Sequence, residues 1–113
     1  MQIKAVFHID ENEKWKLLIA NLQNMIQVIT NESFEIEVVA NSVAVKEFKK
    51  IDSSISNQLK ELSNIGIKIC ACRNALNNLM IKPMEIFEFI EIVPVGVKEI
   101  IEKQLNGFAY IKP

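Results

Sequence analysis

The chain has 113 residues, half of them apolar and 24% charged, with 13 basic against 14 acidic side chains. That length makes one domain, 1–113, burying roughly two thirds of the surface its unfolded chain would expose, and the composition excludes a fibrous repeat or a disordered tail. A formal net charge of −1 lacks the basic excess of a nucleic-acid binder.

The basic clusters Lys14/Lys16 and Lys46/Lys49/Lys50 interleave with Glu13 and Glu47 and read as solvated faces. No stretch approaches the roughly 20 apolar residues of a membrane span. The amino-terminal apolar run meets Asp10 and Glu11 too early for a secretory signal. Two cysteines, two positions apart, fit a reducing compartment, so the expected location is the cytoplasm.

Residues 3 to 9 are almost continuously apolar, as in a strand buried on both faces. Trp15, Leu18, Ile19, Leu22, Met25, Ile26 and Ile29 then recur at three- and four-residue steps, predicting an amphipathic helix over about 12 to 30. Phe34 to Ala40 predicts a second strand. Asn41 and Ser42 precede a short helix expected from 43 to 50. Ser53 and its neighbours cap a further helix carrying Ile55, Leu59 and Leu62, and Gly66 stops it.

The third strand is expected from Ile67 to Cys72, followed by a short helix with Leu76, Leu79 and Met80 running up to Pro83. Met84 to Val93 is ambiguous: Glu85, Glu88 and Glu91 lie three apart as in a helix, while Ile90, Ile92 and Val93 favour a strand ending at Pro94. A last helix carries Val97, Ile100, Ile101 and Leu105 up to Gly107, and residues 108 to 113 form a fifth strand. This alternation predicts an α/β fold with a mostly parallel sheet covered on both faces. The loops after Ile9, Ala40, Cys72 and Val93 then converge on one edge, where ligands bind in such sheets.

Cys72 lies at one of these strand-to-helix junctions. A following helix start and the neighbouring Arg73 both lower a thiol pKa, which makes Cys72 the candidate nucleophile in a solvent-reachable hollow. His8 and Asn41 end two other strands and, with Arg73, Asn74 and Pro94, are the pocket candidates; His8 suits a base or anion partner, while Asn41 and Asn74 serve equally as helix caps. Cys70 reads as a small core hydrophobe, and spacing leaves the same alternative open for Cys72.

A disulfide between the two cysteines is strained. Neither a metal nor a cofactor is expected, because there is one histidine, no Cys pair at ligand spacing, and no GxGxxG or Walker-type loop. A GxSxG elbow is missing too. Trp15 reads as packing.

Val6-Phe7-His8-Ile9-Asp10 with Lys14-Trp15-Lys16, Glu37-Val38-Val39-Ala40-Asn41, Ala71-Cys72-Arg73-Asn74-Ala75-Leu76, Val93-Pro94-Val95-Gly96-Val97 and the ending Gly107-Phe108-Ala109-Tyr110-Ile111-Lys112-Pro113 together resemble the DsrE/DsrF-like (YchN-related) family along the whole chain. The resemblance implies a three-layer α/β/α fold on a five-stranded parallel sheet, assembled into homo-oligomers, trimers or hexamers. It also implies a persulfide-carrying cysteine, at the position of Cys72, that passes sulfur between donor and acceptor proteins. The alternatives are a non-catalytic oligomeric scaffold whose cysteines pack, and a redox sensor using Cys70 and Cys72.

Overall fold

The computed structural model describes residues 2–29 and 32–113. Its five strands are β1 Ile3–Ile9, β2 Phe34–Ala40, β3 Lys68–Cys72, β4 Ile90–Val93 and β5 Ala109–Ile111. Every pairing is parallel, in the order β4-β3-β2-β1-β5. The chain starts one strand in from an edge, steps across the sheet through β2 and β3 to β4, then returns to lay β5 on the other side of β1. The reversal of strand order therefore falls between β1 and β5.

The helices are α1 Trp15–Val28, α2 Ser54–Asn64, α3 Arg73–Asn78 and α4 Gly96–Leu105. One face of the sheet carries α1, α2, α3 and the segment Ser42–Phe48 over the larger core, with Phe7, Ile9, Trp15, Leu18, Leu22, Val38, Phe48 and Ile69. Among the described residues the other face is crossed by α4 alone, over a smaller core of Val6, Val39, Cys70, Val93, Ile100 and Phe108. Covering on both faces is what lets the strands be apolar almost throughout.

Local chemistry sets most boundaries. The Ser53 side chain accepts from the Ser56 N–H, and Ser56 Oγ returns the bond to the Ser53 N–H, so two orphan donors of α2 are satisfied at once. Gly66, at φ 105°, ends that helix in a conformation closed to most side chains. Trp15 is fully buried; its indole N–H donates to the Ala44 carbonyl at 3.1 Å, and its ring meets Phe48 edge-on at 5.4 Å. It is packing, as its place on the helix face implied.

Several boundaries differ from the sequence reading. The first helix opens with a 3-10 turn, Asn12–Lys14, before α1; residue 30, its expected end, lies outside the described residues. The helix expected over 43 to 50 is a 3-10 segment, Ser42–Phe48. Ser42 enters it at φ 52°, and the Asn41 side chain, expected to cap, makes no cap bond.

The third strand starts at Lys68, and its helix stops at Asn78 because Met80 turns into the left-handed region at φ 58°. The ambiguous stretch holds both readings in turn, a 3-10 turn at Pro83–Glu85 and then β4. The fifth strand is shorter than expected, Ala109–Ile111.

Candidate functional site

With all strands parallel, Ile9, Ala40, Cys72 and Val93 end at one edge of the sheet. Cys72 is the last residue of β3 and the N-cap of α3, as the junction in the sequence implied. It is buried, 6% exposed, and joins the larger core, so its sulfur is nearly covered where the sequence suggested a solvent-reachable hollow. The cover is explained by Gly96 at the start of α4: a Cβ there would lie 3.2 Å from Cys72 Cβ, 3.3 Å from Val39 Cγ1 and 3.5 Å from Asn41 Cβ. A side chain at this position would press on β2 and β3, and glycine leaves α4 free to approach them this closely.

Asn41 thus lies beside Gly96, on the same side of it as Cys72, and turns its amide toward His8. His8 Nε2 is 3.0 Å from Asn41 Oδ1, and His8 Nδ1 is 2.7 Å from the Tyr110 hydroxyl. With Oδ1 accepting, the ring carries its proton on Nε2 and Nδ1 accepts from the tyrosine. This chain of polar groups bridges β1 and β5, the strand-order reversal at which open α/β sheets bind ligands.

Arg73 and Asn74 open α3 and are both exposed, and Pro94 is exposed in the exit from β4. None of the three has a side-chain hydrogen bond or ion pair among the described residues. The edge therefore brings Cys72, Asn41 and His8 together and adds Gly96 and Tyr110. Tyr110 was missed: its signal was its place in the last apolar segment, whose partner strand the sequence alone did not identify.

A second polar cluster lies under α4. Glu37 points inward from β2 and is 2% exposed. Cys70 Sγ donates to Glu37 Oε1 at 2.9 Å, Lys103 Nζ stands 3.3 Å from Oε2, and Lys68 Nζ stands 3.9 Å from Oε1. Lys68 also pairs with Glu91 at 3.5 Å. Burial pushes the Glu37 carboxyl up, but hydrogen bonding to Glu99 and Cys70 and the charges of Lys68 and Lys103 outweigh it and hold the group below its ordinary value.

The neighbouring Glu99 moves the opposite way. Its hydrogen bond to Glu37, then desolvation and the like charge of Glu37, raise it to about 7. Burial and the bond to Glu37 push the Cys70 thiol far up, so Cys70 stays protonated and is no nucleophile. Lys68 is raised: burial alone lowers it, and Glu37 leads the charges that overcome this. A cleft of about 200 Å³ lined by Glu37, Lys68, Lys103, Phe34 and Phe108 opens beside the cluster. Glu37 was missed because, although both faces of the sheet were expected to be covered, nothing in the sequence linked a lone carboxylate in β2 to the partners that bury it.

No helix among the described residues is long and apolar enough to cross a membrane. Among curated proteins none matches the chain. Among solved structures, the chain is similar to MTH1491 of Methanobacterium thermoautotrophicum, a protein of unknown function. The two are 36% identical with a TM-score of 0.87, and the match covers 98% of this chain and 99% of that one.

It shares its fold with the YchN protein of E. coli at 15% identity and a TM-score of 0.75, with both chains covered completely. BT1422 of Bacteroides thetaiotaomicron, of unknown function, shares it at 17% identity and a TM-score of 0.75, over 99% of this chain and 94% of that one. A model of the DsrE/DsrF-like family matches residues 10–113, which takes in β2 to β5, all four helices and the Cys72 edge: the chain belongs to the DsrE/DsrF-like family.

Proposed function

We propose that this protein is a cytoplasmic sulfur carrier that holds a persulfide on Cys72. The observation that carries the reading is the position of that thiol: it ends β3 and occupies the N-cap position of α3 at the edge of the sheet where the parallel strands finish, next to Gly96 and Asn41. The Cys72 thiolate attacks the outer sulfur of a donor persulfide. A new S–S bond forms on Cys72, the donor's S–S bond breaks, and the donor leaves as a thiolate that takes up the proton Cys72 gave to solvent. An acceptor thiolate repeats the exchange in the other direction, so neither step has net oxidation.

The Asn41, His8 and Tyr110 groups give the edge a polar wall for the bound anion, and Arg73 and Asn74 stand exposed at the mouth where donor and acceptor proteins approach. Because Cys72 is 6% exposed, exchange needs α4 to lift from β3 at Gly96. Reduced protein is incubated with a small persulfide donor and weighed intact. The expected result is one added sulfur on the native chain and on Cys70→Ser, and none on Cys72→Ser. An equal adduct on Cys72→Ser refutes the assignment.

The second reading, a non-catalytic homo-oligomeric scaffold, is favoured by the near-closure of Cys72 and by an apolar stripe on α4. Val97, Ile101 and Leu105 recur at four-residue steps, all exposed, and β5 forms an outer edge of the sheet with Tyr110 and Ile111 exposed. A second copy covering these groups, in a trimer or hexamer, accommodates both readings. Alkylation separates them: a Cys72 that reacts at neutral pH in folded protein fits the carrier, and one that reacts only after unfolding fits the scaffold.

A further inference from the structure

The polar chain at the Cys72 edge has a direction, and that direction gives its members separate roles. We infer that Asn41 is the hydrogen-bond donor to the sulfur anion on Cys72, with His8 and Tyr110 as positioning residues that hold its amide the right way round, an assignment that rests on the carrier reading for the anion it serves. The parallel register pairs Val39 with Cys70 and Ala40 with Ala71, so one more step along both strands sets Asn41 beside Cys72, at the spacing of about 4.8 Å that separates neighbouring strands. Their Cβ atoms flank a single point, the place a Gly96 Cβ would take, at 3.5 Å and 3.2 Å. Gly96 leaves that space open. The Asn41 N–H donates to the Ile9 carbonyl at 3.0 Å, which keeps the residue in line with the sheet after β2 has ended.

An asparagine amide has one accepting end and one donating end. Here Oδ1 is taken by His8 Nε2 at 3.0 Å, and no described residue takes the Nδ2 hydrogens. The direction of the ring is set in turn by Tyr110, whose hydroxyl stands 2.7 Å from Nδ1. In the neutral ring Nδ1 accepts from that hydroxyl; in the imidazolium Nδ1 donates and the hydroxyl turns to accept, while Nε2 donates in both. Oδ1 therefore stays the accepting end whatever the charge on His8, and the amide N–H groups stay free for a ligand. The strand that delivers Tyr110 is short, paired to β1 only over Ala109 to Ile111, and the Lys112–Asp10 ion pair at 3.2 Å fastens its far end.

A neutral donor placed beside a sulfur gains most when the sulfur is charged, and the charged thiolate is the form that attacks. Once loaded, the negative charge sits on the outer sulfur, about 2 Å beyond Sγ. An amide with two hydrogens serves the thiolate and the persulfide anion in turn without a proton of its own to lose. The sequence placed His8 and Asn41 at strand ends, and the pairing of β5 with β1 adds the tyrosine that orders them.

The test is the rate at which iodoacetamide modifies Cys72 in the reduced, folded full chain from pH 6 to 10, located by peptide mass, with each variant checked by circular dichroism. Asn41→Leu, close in size but without a donor, is expected to move the pH–rate profile up by about one unit, about tenfold in rate at neutral pH, and to rejoin the native rate at high pH. Asn41→Asp, with the same shape and a like charge, moves it further, and Tyr110→Phe moves it the same way by less. A side chain that only packs would change access to the thiol and scale the rate by one factor at every pH. Profiles that superimpose, or that differ by a constant factor, overturn the assignment. So does a neutral His8 ring with its proton on Nδ1, read from the nitrogen-15 shifts of the chain's one histidine. Persulfide loading is weighed separately: shifted profiles without loading refute the carrier alone, and loading with superimposed profiles refutes the donor alone.

Discussion

Glu99→Gln makes a sharp prediction about stability. Glu99 shares a proton with Glu37, and its carboxyl stands at about 7 in place of the ordinary 4.5. A folded-state pKa above the unfolded one means the folded chain binds more protons between those two values. The stabilisation is full below pH 4.5, falls as pH rises through the window, and is gone above pH 7. Glu37, held below its ordinary value, acts in the opposite sense: its contribution is full above 4.5 and is lost as acid protonates it.

Shifting a carboxyl from 4.5 to about 7 corresponds to about 3 kcal/mol in favour of the protonated form. Water at the partly exposed Glu99 and the two nearby lysines screen this to roughly 1–2 kcal/mol. Glutamine mimics the protonated acid and donates an N–H to Glu37 at every pH.

At pH 8 the variant is therefore expected to be more stable than the native chain by about 1–2 kcal/mol, or about 4 °C in Tm per kcal/mol for a domain of this size. At pH 4.5 the two should melt together. Urea or thermal unfolding followed by circular dichroism at both pH values measures the difference. A variant less stable at pH 8, or a gap that does not narrow on acidification, refutes the shared-proton account.

Two further outcomes follow from the packing. Gly96→Ala sets a methyl group 3.2 Å from Cys72 Cβ and 3.3 Å from Val39 Cγ1; the overpacked contact is expected to cost about 1–3 kcal/mol, measured by chemical denaturation, and a neutral substitution would show that α4 does not press on Cys72. Phe48→Ala removes a fully buried ring and the edge contact to Trp15; a loss of about 3–5 kcal/mol is expected in the same assay, and a loss under 1 kcal/mol would mean the Ser42–Phe48 segment does not close the larger core.

The order of elements was legible because most of them follow apolar periodicity, which the α/β architecture repeats: β1 and β2 begin and end where the sequence put them. What periodicity does not encode is which strands touch. The junction at Cys72 was readable from a local change of pattern, and so was the Ser53 cap. The bond from His8 to Tyr110 depends on β5 crossing back beside β1, a tertiary fact separated by 102 residues. The closeness of Gly96 to Cys72 has the same origin. A lone glycine after Pro94 reads as a turn residue until α4 is laid across the strands, and only then does its missing side chain appear as the contact surface of the thiol.

Glu37 shows the strongest form of this limit and ties the two ends of the sheet together. Alternation in β2 assigns Ile36 and Val38 to the larger core and leaves Glu37 for the opposite face, where the expected covering layer gave no hint of partners for a carboxylate. The crossing of α4 buries that face, so the carboxylate must be matched by Cys70, Lys68, Lys103 and Glu99. All four come from segments that no spacing rule links to position 37. The same helix therefore both closes Cys72, through Gly96 at its first turn, and assembles the buried polar cluster, through Glu99 and Lys103 further along it. Any motion of α4 that opens the thiol for exchange must also strain the Glu37 contacts, so Glu99→Gln, by replacing a shared proton with a permanent donor, is expected to slow alkylation of Cys72 at pH 8. An unchanged alkylation rate, alongside the predicted gain in stability, would show that the first turn of α4 moves independently of the rest.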